Sequence, residues 1–196
     1  MLQWTNKLKN PAFLAVVLSA CTQTQKWETS WDKVIDQPGV NVKITEDKKG
    51  NAIREITLPH NVIITEERRG DHISTLEVDG SGNGAVICGW ELYTAVRRDI
   101  EKCPSNQYGQ MKQKLDGYID RINAFIVANS IDPVTQSQLD EQVRKRIVSA
   151  KKCNASGTFN KALQSNEKRE LFIKTLDDAV NKMLSVPRLP VLNPCL

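Results

Sequence analysis

Histidine is scarce in this 196-residue chain, which contains only His60 and His72. Each lies on or beside a predicted strand, and neither belongs to an HExxH or a cysteine–histidine zinc pattern. We therefore expect both to be ordinary strand or surface histidines. The sequence predicts no metal site and no cofactor, and it contains no recognisable grouping of nucleophile and base.

A strong charge of one sign is also missing. The formal net charge is +4, and Lys7 and Lys9, near the start of the chain, account for half of it. Basic and acidic residues are interspersed, as in KKGNAIREI and DEQVRKR, which is typical of a solvated mixed surface. A phosphate-binding surface needs a basic stripe or patch, so we expect no nucleic-acid partner.

Long apolar runs are absent as well, and the most apolar stretch lies near the N-terminus. Residues 1–10 are polar with two lysines, residues 12–20 read AFLAVVLSA, and Cys21 follows. A basic start, a short apolar run and small residues form the pattern of a signal peptide, and nine apolar residues are too few to span a bilayer. We predict that residues 1–20 are removed. The alternative is a buried element with an ordinary core cysteine.

Four residues at the end of this stretch resemble a known processing site. Leu18, Ser19, Ala20 and Cys21 resemble the lipobox of bacterial lipoproteins that the lipoprotein signal peptidase cleaves. The resemblance covers about the first tenth of the chain and implies that Cys21 carries diacylglycerol and an acylated amino group, an anchor of two or three acyl chains. Thr22 in place of Asp favours the outer membrane, facing the periplasm, by analogy with enterobacterial lipoproteins.

The rest of the chain has the composition of a globular protein, with 40% hydrophobic and 26% charged residues. Residues 21–39 are predicted to be a lipidated cysteine and a tether. The tether ends in a short amphipathic turn whose apolar side chains share one helical face and dock on the domain: Trp27, Trp31, Val34 and Ile35. Residues 40–196 are predicted to form a single domain.

Residues 40–90 have the two-residue periodicity of strands. Val40, Val42 and Ile44 alternate with polar residues, DKKGN turns the chain, and residues 52–58 run back. A second hairpin pairs NVIITE with HISTLEV around the tip ERRGD, and the glycine-rich residues 80–84 follow. The apolar AVIC, residues 85–88, is predicted to be a last short strand.

Residues 91–186 have helical periodicity, with four to five helices expected. Leu92, Val96 and Ile100 share one face of the first helix. Asp132 and Pro133 are predicted to begin the third helix. A short element at residues 159–163 is predicted to precede the last helix. The second helix has a stripe of apolar residues at heptad spacing: Tyr108, Met111, Leu115, Tyr118, Ile122 and Phe125. We expect this stripe to be internal core, with a partner-binding seam as the alternative.

Strands followed by helices predict an α+β fold, in which antiparallel hairpins precede a helical bundle. Residues 187–196, PRLPVLNPCL, contain three prolines and cannot continue the last helix, so they are predicted to form a proline-rich tail.

The remaining four cysteines predict two disulfides, because export places them in an oxidising compartment. A bond from Cys88 to Cys103 requires Cα atoms within about 7 Å, whereas the predicted helix between them is about 18 Å long. Two antiparallel helices bring Cys103 and Cys153 to one end of a helical hairpin. We therefore predict the pairs Cys103–Cys153 and Cys88–Cys195. The alternative is four buried thiols.

The acidic residues supply weak candidates for chemistry. Glycoside hydrolysis needs two facing carboxylates whose pKa values differ, and Glu66, Glu67, Asp71 and Glu91 are candidates for such a pair. Nothing in their spacing shows that they face each other, so ordinary solvated charges are the expected interpretation.

Residues 79–84, DGSGNG, resemble the first half of a calcium loop, with Asp79 and Asn83 as candidate ligands. The bidentate glutamate of an EF-hand belongs at position twelve, which here is Trp90. We therefore expect a glycine-rich turn.

The sequence as a whole favours a membrane-anchored periplasmic lipoprotein that acts as a non-catalytic binding or envelope-assembly module. Its expected partners are the membrane, through lipid on Cys21, and an envelope protein or glycan. One alternative is a periplasmic glycan or peptidoglycan hydrolase that uses carboxylates. Another is a surface adhesin, since Arg69, Gly70 and Asp71 resemble the integrin-binding tripeptide.

Overall fold

A computed structural model describes residues 27–154 and 165–195 of the chain. The predictions for residues 1–20, Cys21 and 159–163 lie outside the described residues. The fold is α+β, as predicted: a four-stranded antiparallel sheet precedes four helices. In chain order the elements are β1 (Asn41–Glu46), β2 (Ala52–Leu58), β3 (Val62–Arg69), β4 (His72–Asp79), α1 (Val86–Asp99), α2 (Ser105–Asn129), α3 (Gln136–Val148) and α4 (Asn166–Met183).

The sheet is a meander in the order β1-β2-β3-β4, and both predicted hairpins are present. Gly50 and Gly70 take positive φ at the two hairpin tips, a conformation that glycine adopts without a steric penalty. The register pairs Ile56 with Ile64 and Leu58 with Val62, so their side chains share one face. These four residues are buried, and they form the sheet's part of the core.

The segment before β1 covers this buried face. Val34 and, from the C-terminal tail, Val191 are buried against the sheet, and Trp31, Ile35 and Leu189 pack beside them. Part of this segment is a short 3₁₀ helix, Ser30–Lys33. The predicted docking of the tether's apolar residues is therefore confirmed, and the packed part of the chain already includes Trp27.

Charged side chains hold Trp27 in place. The guanidinium groups of Arg54 and Arg68 lie over its ring, at 4.9 and 4.8 Å from its centroid. Arg54 is itself buried and pairs with Glu66 at 2.6 Å and with Asp32 at 2.5 Å. Burial alone raises the pKa of Asp32, but the hydrogen bond and charge of Arg54 outweigh it and lower that pKa. The segment before β1 is thus fixed by ionic contacts as well as by apolar packing.

The helices form a second core. The predicted stripe on α2 is confirmed as internal: Tyr108, Met111, Leu115, Tyr118 and Ile122 are buried, and Phe125 packs against the same cluster. Residues of α1, α3 and α4 complete the cluster. None of the helices in the described part of the chain is both long and apolar enough to cross a membrane.

Two helix starts differ from the prediction. Residues 85–88 are not a strand, because α1 begins at Val86 and buries Val86, Trp90 and Tyr93 on one face. A four-residue apolar run has too few positions to distinguish the two periodicities. Helix α3 begins at Gln136, not at Asp132 and Pro133. Thr135 is its N-cap, because the Thr135 hydroxyl accepts the backbone N–H of Gln138 at 3.2 Å in a capping box.

The glutamate Glu77 lies on β4 opposite Ile64, on the buried side of the sheet, and burial raises the pKa of its carboxyl. A raised pKa means that the folded state is penalised when the group is ionised and gains stability as the pH falls through the folded pKa. We expect Glu77→Gln to raise the free energy of unfolding at pH 7 by about 0.3 to 1 kcal/mol. The advantage should shrink as the pH falls towards about 4.

Urea unfolding between pH 4 and 8 measures this effect. Glu55→Gln, at an exposed position on β2, is the matched control and should leave stability nearly unchanged. A Glu77→Gln effect that is equal at every pH would contradict the assignment to ionisation.

Candidate functional site

A cavity of about 670 Å³ lies between α1, α4, the glycine-rich loop and the end of the tail. This volume is within the range of small-molecule pockets. The lining residues come from four segments: Asp79 and residues 82–85; Cys88, Gly89, Glu91, Leu92 and Tyr93 of α1; Thr175, Leu176, Ala179, Lys182 and Met183 of α4; and Pro194 and Cys195. We refer to this cavity as the α1–α4 pocket.

Gly89 of α1 leaves room for the side chain of Met183 of α4 at the pocket wall. A Cβ atom at this position would lie 2.5 Å from Sδ of Met183, a separation that real Cβ atoms do not show. The absence of a side chain at Gly89 lets Met183 pack as part of the helical core, and residues of α1 and α4 beside it form the pocket walls.

A disulfide forms part of the pocket wall. Cys88 of α1 is bonded to Cys195 of the tail, with Cα atoms 5.2 Å apart. Cys103 is bonded to Cys153, with Cα atoms 4.6 Å apart. Both are the predicted pairs, although Cys88 belongs to a helix and not to the predicted strand. Two disulfides indicate a protein of an oxidising, extracytoplasmic compartment.

The two hydroxyl groups of the pocket wall already have partners inside the protein. The Tyr93 hydroxyl donates to the carbonyl of Leu176 at 2.7 Å, and the Thr175 hydroxyl donates to that of Leu171 at 2.9 Å. Burial raises the pKa of Tyr93, so its phenol stays protonated and remains a donor. These groups are satisfied without water or ligand, which makes the wall apolar in effect.

The candidate calcium ligand Asp79 lies at the end of β4, where it forms an ion pair with an arginine of the tail. Nε of Arg188 donates to Oδ2 of Asp79 at 2.7 Å, and both side chains are fully buried. The remaining Arg188 nitrogens donate to the carbonyls of Met183, Val186 and Gly84 at 2.6 to 3.0 Å. Arg188 therefore joins the sheet, the glycine-rich loop, α4 and the tail.

The glycine-rich loop is a turn, as expected. Oδ1 of Asp79 accepts the backbone N–H of Ser81 at 2.9 Å, and the Ser81 hydroxyl accepts that of Asn83 at 3.1 Å. Asn83 reaches the pocket as a lining residue. Within residues 27–154 and 165–195, no group of three or more histidine, cysteine or acidic side chains is placed to hold a metal ion.

Glu91 lies at the pocket edge and forms an ion pair with Arg146 of α3, in which Nη2 donates to Oε1 at 2.8 Å. The hydrogen bond from Arg146 lowers the pKa of Glu91. A general acid in glycoside hydrolysis needs a raised pKa, so this carboxyl is shifted in the opposite direction. Arg146 also lies 4.4 Å from the ring centroid of Trp90, which holds the ion pair against α1.

The other candidate acids, Glu66, Glu67 and Asp71, do not reach the pocket. Glu66 is fully buried on β3 and pairs with Arg54, and its Oε1 has no hydrogen-bond partner among the described atoms. Asp71 is exposed at the tip between β3 and β4, beside Arg69, which forms an exposed ion pair with Glu67. The structure thus brings Asp79, Asn83 and Glu91 to one pocket and separates Glu66 from Glu91.

Sequence reasoning missed Arg188, Lys182 and the apolar residues of the pocket. Arg188 is separated from Asp79 by 109 positions, and a single arginine in a proline-rich tail has no periodic signal. The pocket forms between two helices that are distant in sequence, so its position depends on tertiary packing.

No protein-family model matches the chain, and no curated protein or solved structure matches it.

Proposed function

We propose that this protein is a lipid-anchored periplasmic lipoprotein, held in the outer membrane through Cys21, and that its domain is a non-catalytic binding module. Its ligand is a component of the envelope that enters the α1–α4 pocket. The observation that carries the binding role is the pocket itself: a cavity of about 670 Å³ whose wall hydroxyls are bonded to the protein's own backbone.

The charges at the pocket support binding over catalysis. Asp79 is neutralised by Arg188 and Glu91 by Arg146. A general acid must be protonated, whereas Arg146 favours the ionised form of Glu91 by lowering its pKa.

The proposed location is supported by two independent features. The lipobox-like residues 18–21 favour a lipid anchor, and the two disulfides favour a compartment outside the cytoplasm. A lipid anchor with two or three chains gives stable membrane attachment without a transmembrane helix.

Cys21→Ser tests the anchor. We expect the wild-type protein in the membrane fraction, with an intact mass that begins at an acylated Cys21. The Ser variant should be released from the membrane or remain unprocessed, because serine provides no thiol for the lipid. Fractionation of cells and mass spectrometry of the extracted protein measure both outcomes.

Thr22→Asp is the matched control beside the anchor. By analogy with enterobacterial lipoproteins, it should keep the lipid and move the protein from the outer to the inner membrane fraction. A wild-type mass equal to unmodified Met1 to Leu196, or cleavage elsewhere than before Cys21, would contradict the anchoring proposal.

A further inference from the structure

We infer that the α1–α4 pocket binds a fatty acid, with the alkyl chain along α4 and the carboxylate at Lys182. This inference rests on the proposed binding function and names the class of its ligand. Three features of the pocket support this inference: the row of residues on one face of α4, the apolar composition of the walls, and the charge of Lys182, which has no ion-pair partner among the described residues.

The stripe on α4 gives the pocket a direction. Thr175, Ala179 and Lys182 are spaced four and three residues apart, so they lie on one helical face. From Thr175 to Lys182 the helix rises about 10 Å, two helical turns. The pocket therefore follows α4 along its axis, as an extended chain requires, and Lys182 lies at the C-terminal end of that path.

The walls along this path are apolar. Leu92, Leu176, Ala179 and Met183 line it together with the Cys88–Cys195 disulfide. Leu92 is 38% exposed, although it is a large aliphatic side chain on the face of α1 that lines the pocket. The hydroxyls of Tyr93 and Thr175 donate to backbone carbonyls, so the walls provide surface for methylenes and few free donors.

Charge decides the head group. The pocket has three charged lining residues, and two of them have partners: Asp79 pairs with Arg188, and Glu91 pairs with Arg146. Lys182 is the charged lining residue for which no ion pair occurs within the described part of the chain. The pocket therefore has one net positive charge, which complements a small monoanion such as a carboxylate. A zwitterionic head group or an ammonium lacks that complementarity.

The inference predicts how affinity depends on the ligand. Binding should tighten up to about fourfold for each methylene added to a saturated carboxylate, until the pocket is filled. A fatty acid should bind about five- to tenfold more tightly than the alcohol or the alkyltrimethylammonium of the same chain length, because one partly exposed ion pair is at stake.

The test uses the exported, oxidised chain from Thr22 to Leu196, which contains every described residue and needs no detergent. Octanoate, decanoate, laurate and myristate are titrated calorimetrically, beside dodecanol, dodecyltrimethylammonium and a lauroyl lysophosphatidylcholine. Ala179→Trp, which places an indole in the path of the chain, should weaken laurate binding at least tenfold. Ala128→Trp, at an exposed alanine of α2 outside the pocket, is its matched control and should leave binding unchanged.

Lys182→Glu tests the head group, with Lys174→Glu as control on an exposed position of the same helix. Lys182→Glu should weaken laurate about tenfold and leave dodecanol unaffected, while Lys174→Glu should change neither. If Ala179→Trp does not fold, Leu92→Glu serves in its place, because Leu92 is already partly exposed.

Equal affinity for laurate and dodecyltrimethylammonium, or equal losses in Ala179→Trp and Ala128→Trp, would overturn the inference. Tight binding of the lysophospholipid with weak binding of laurate would also overturn it. If the fatty acids fail but Ala179→Trp abolishes crosslinking of the anchored protein to another envelope component in cells, the proposed binding function stands and the ligand class is wrong. If Ala179→Trp changes neither readout, both are wrong.

Discussion

Replacing Arg188 by methionine is expected to lower the free energy of unfolding by about 3 to 5 kcal/mol. The substitution leaves the Asp79 carboxylate in a fully buried position without its partner. It also removes the donors to the carbonyls of Met183, Val186 and Gly84. An ionised group cannot stay unpaired in such a site at low cost, so the loop and the tail should both be loosened. Urea unfolding at pH 7 measures the loss.

Two variants separate the buried ion pair from general effects of losing an arginine. Arg144→Met removes an exposed pair with Glu141 and should cost less than about 0.5 kcal/mol. Asp79→Asn combined with Arg188→Met removes the buried charge altogether and should recover part of the loss. A change below about 1 kcal/mol for Arg188→Met alone would contradict the role given to this pair.

Removal of the Cys88–Cys195 disulfide by a double serine substitution should cost a comparable amount, roughly 4 to 5 kcal/mol in the loop-entropy treatment. The bond closes a loop with a sequence separation of 107 residues. For a domain of this size the melting temperature should fall by about 10 to 20 °C. The same variant should also weaken ligand binding, since the bond lines the α1–α4 pocket and fixes the end of the tail there.

The second disulfide provides the comparison. Cys103–Cys153 closes a separation of 50 residues, so its double serine variant should lose slightly less stability and should leave ligand binding unchanged. Scanning calorimetry and laurate titration of the wild-type protein and the two double serine variants decide this. Equal stability of the wild-type protein before and after full reduction would show that neither bond contributes.

The parts of the fold that were predictable are those that depend on local periodicity. The alternation of Val42 and Ile44 with polar residues specifies a strand, and the turn at DKKGN specifies its partner. The stripe on α2 covers nearly three heptads, long enough that only a helix fits it. The disulfide pairing was predictable because a helix of known rise keeps Cys88 and Cys103 apart.

The parts that were not predictable depend on contacts distant in sequence. The short run at residues 85–88 has the composition of a strand, but burial of Val86 and Trp90 against the helical core makes it the start of α1. At the site, Asp79 and Glu91 were recognised as acids, yet their chemistry is set by Arg188 and Arg146, which have no sequence pattern linking them to those acids. The pocket itself depends on how α1 and α4 pack in the folded chain.

The position of Trp27 limits how far the domain can lie from the proposed lipid anchor. Arg54 and Arg68 fix its ring on the sheet, which leaves only residues 22–26 between the packed domain and the proposed lipid on Cys21. Even fully extended, the step from Cys21 to Trp27 spans at most about 20 Å. Anchored in this way, the domain samples a thin layer of solvent beside one leaflet. It would exchange ligand with that leaflet by short excursions and would not carry it across the periplasm.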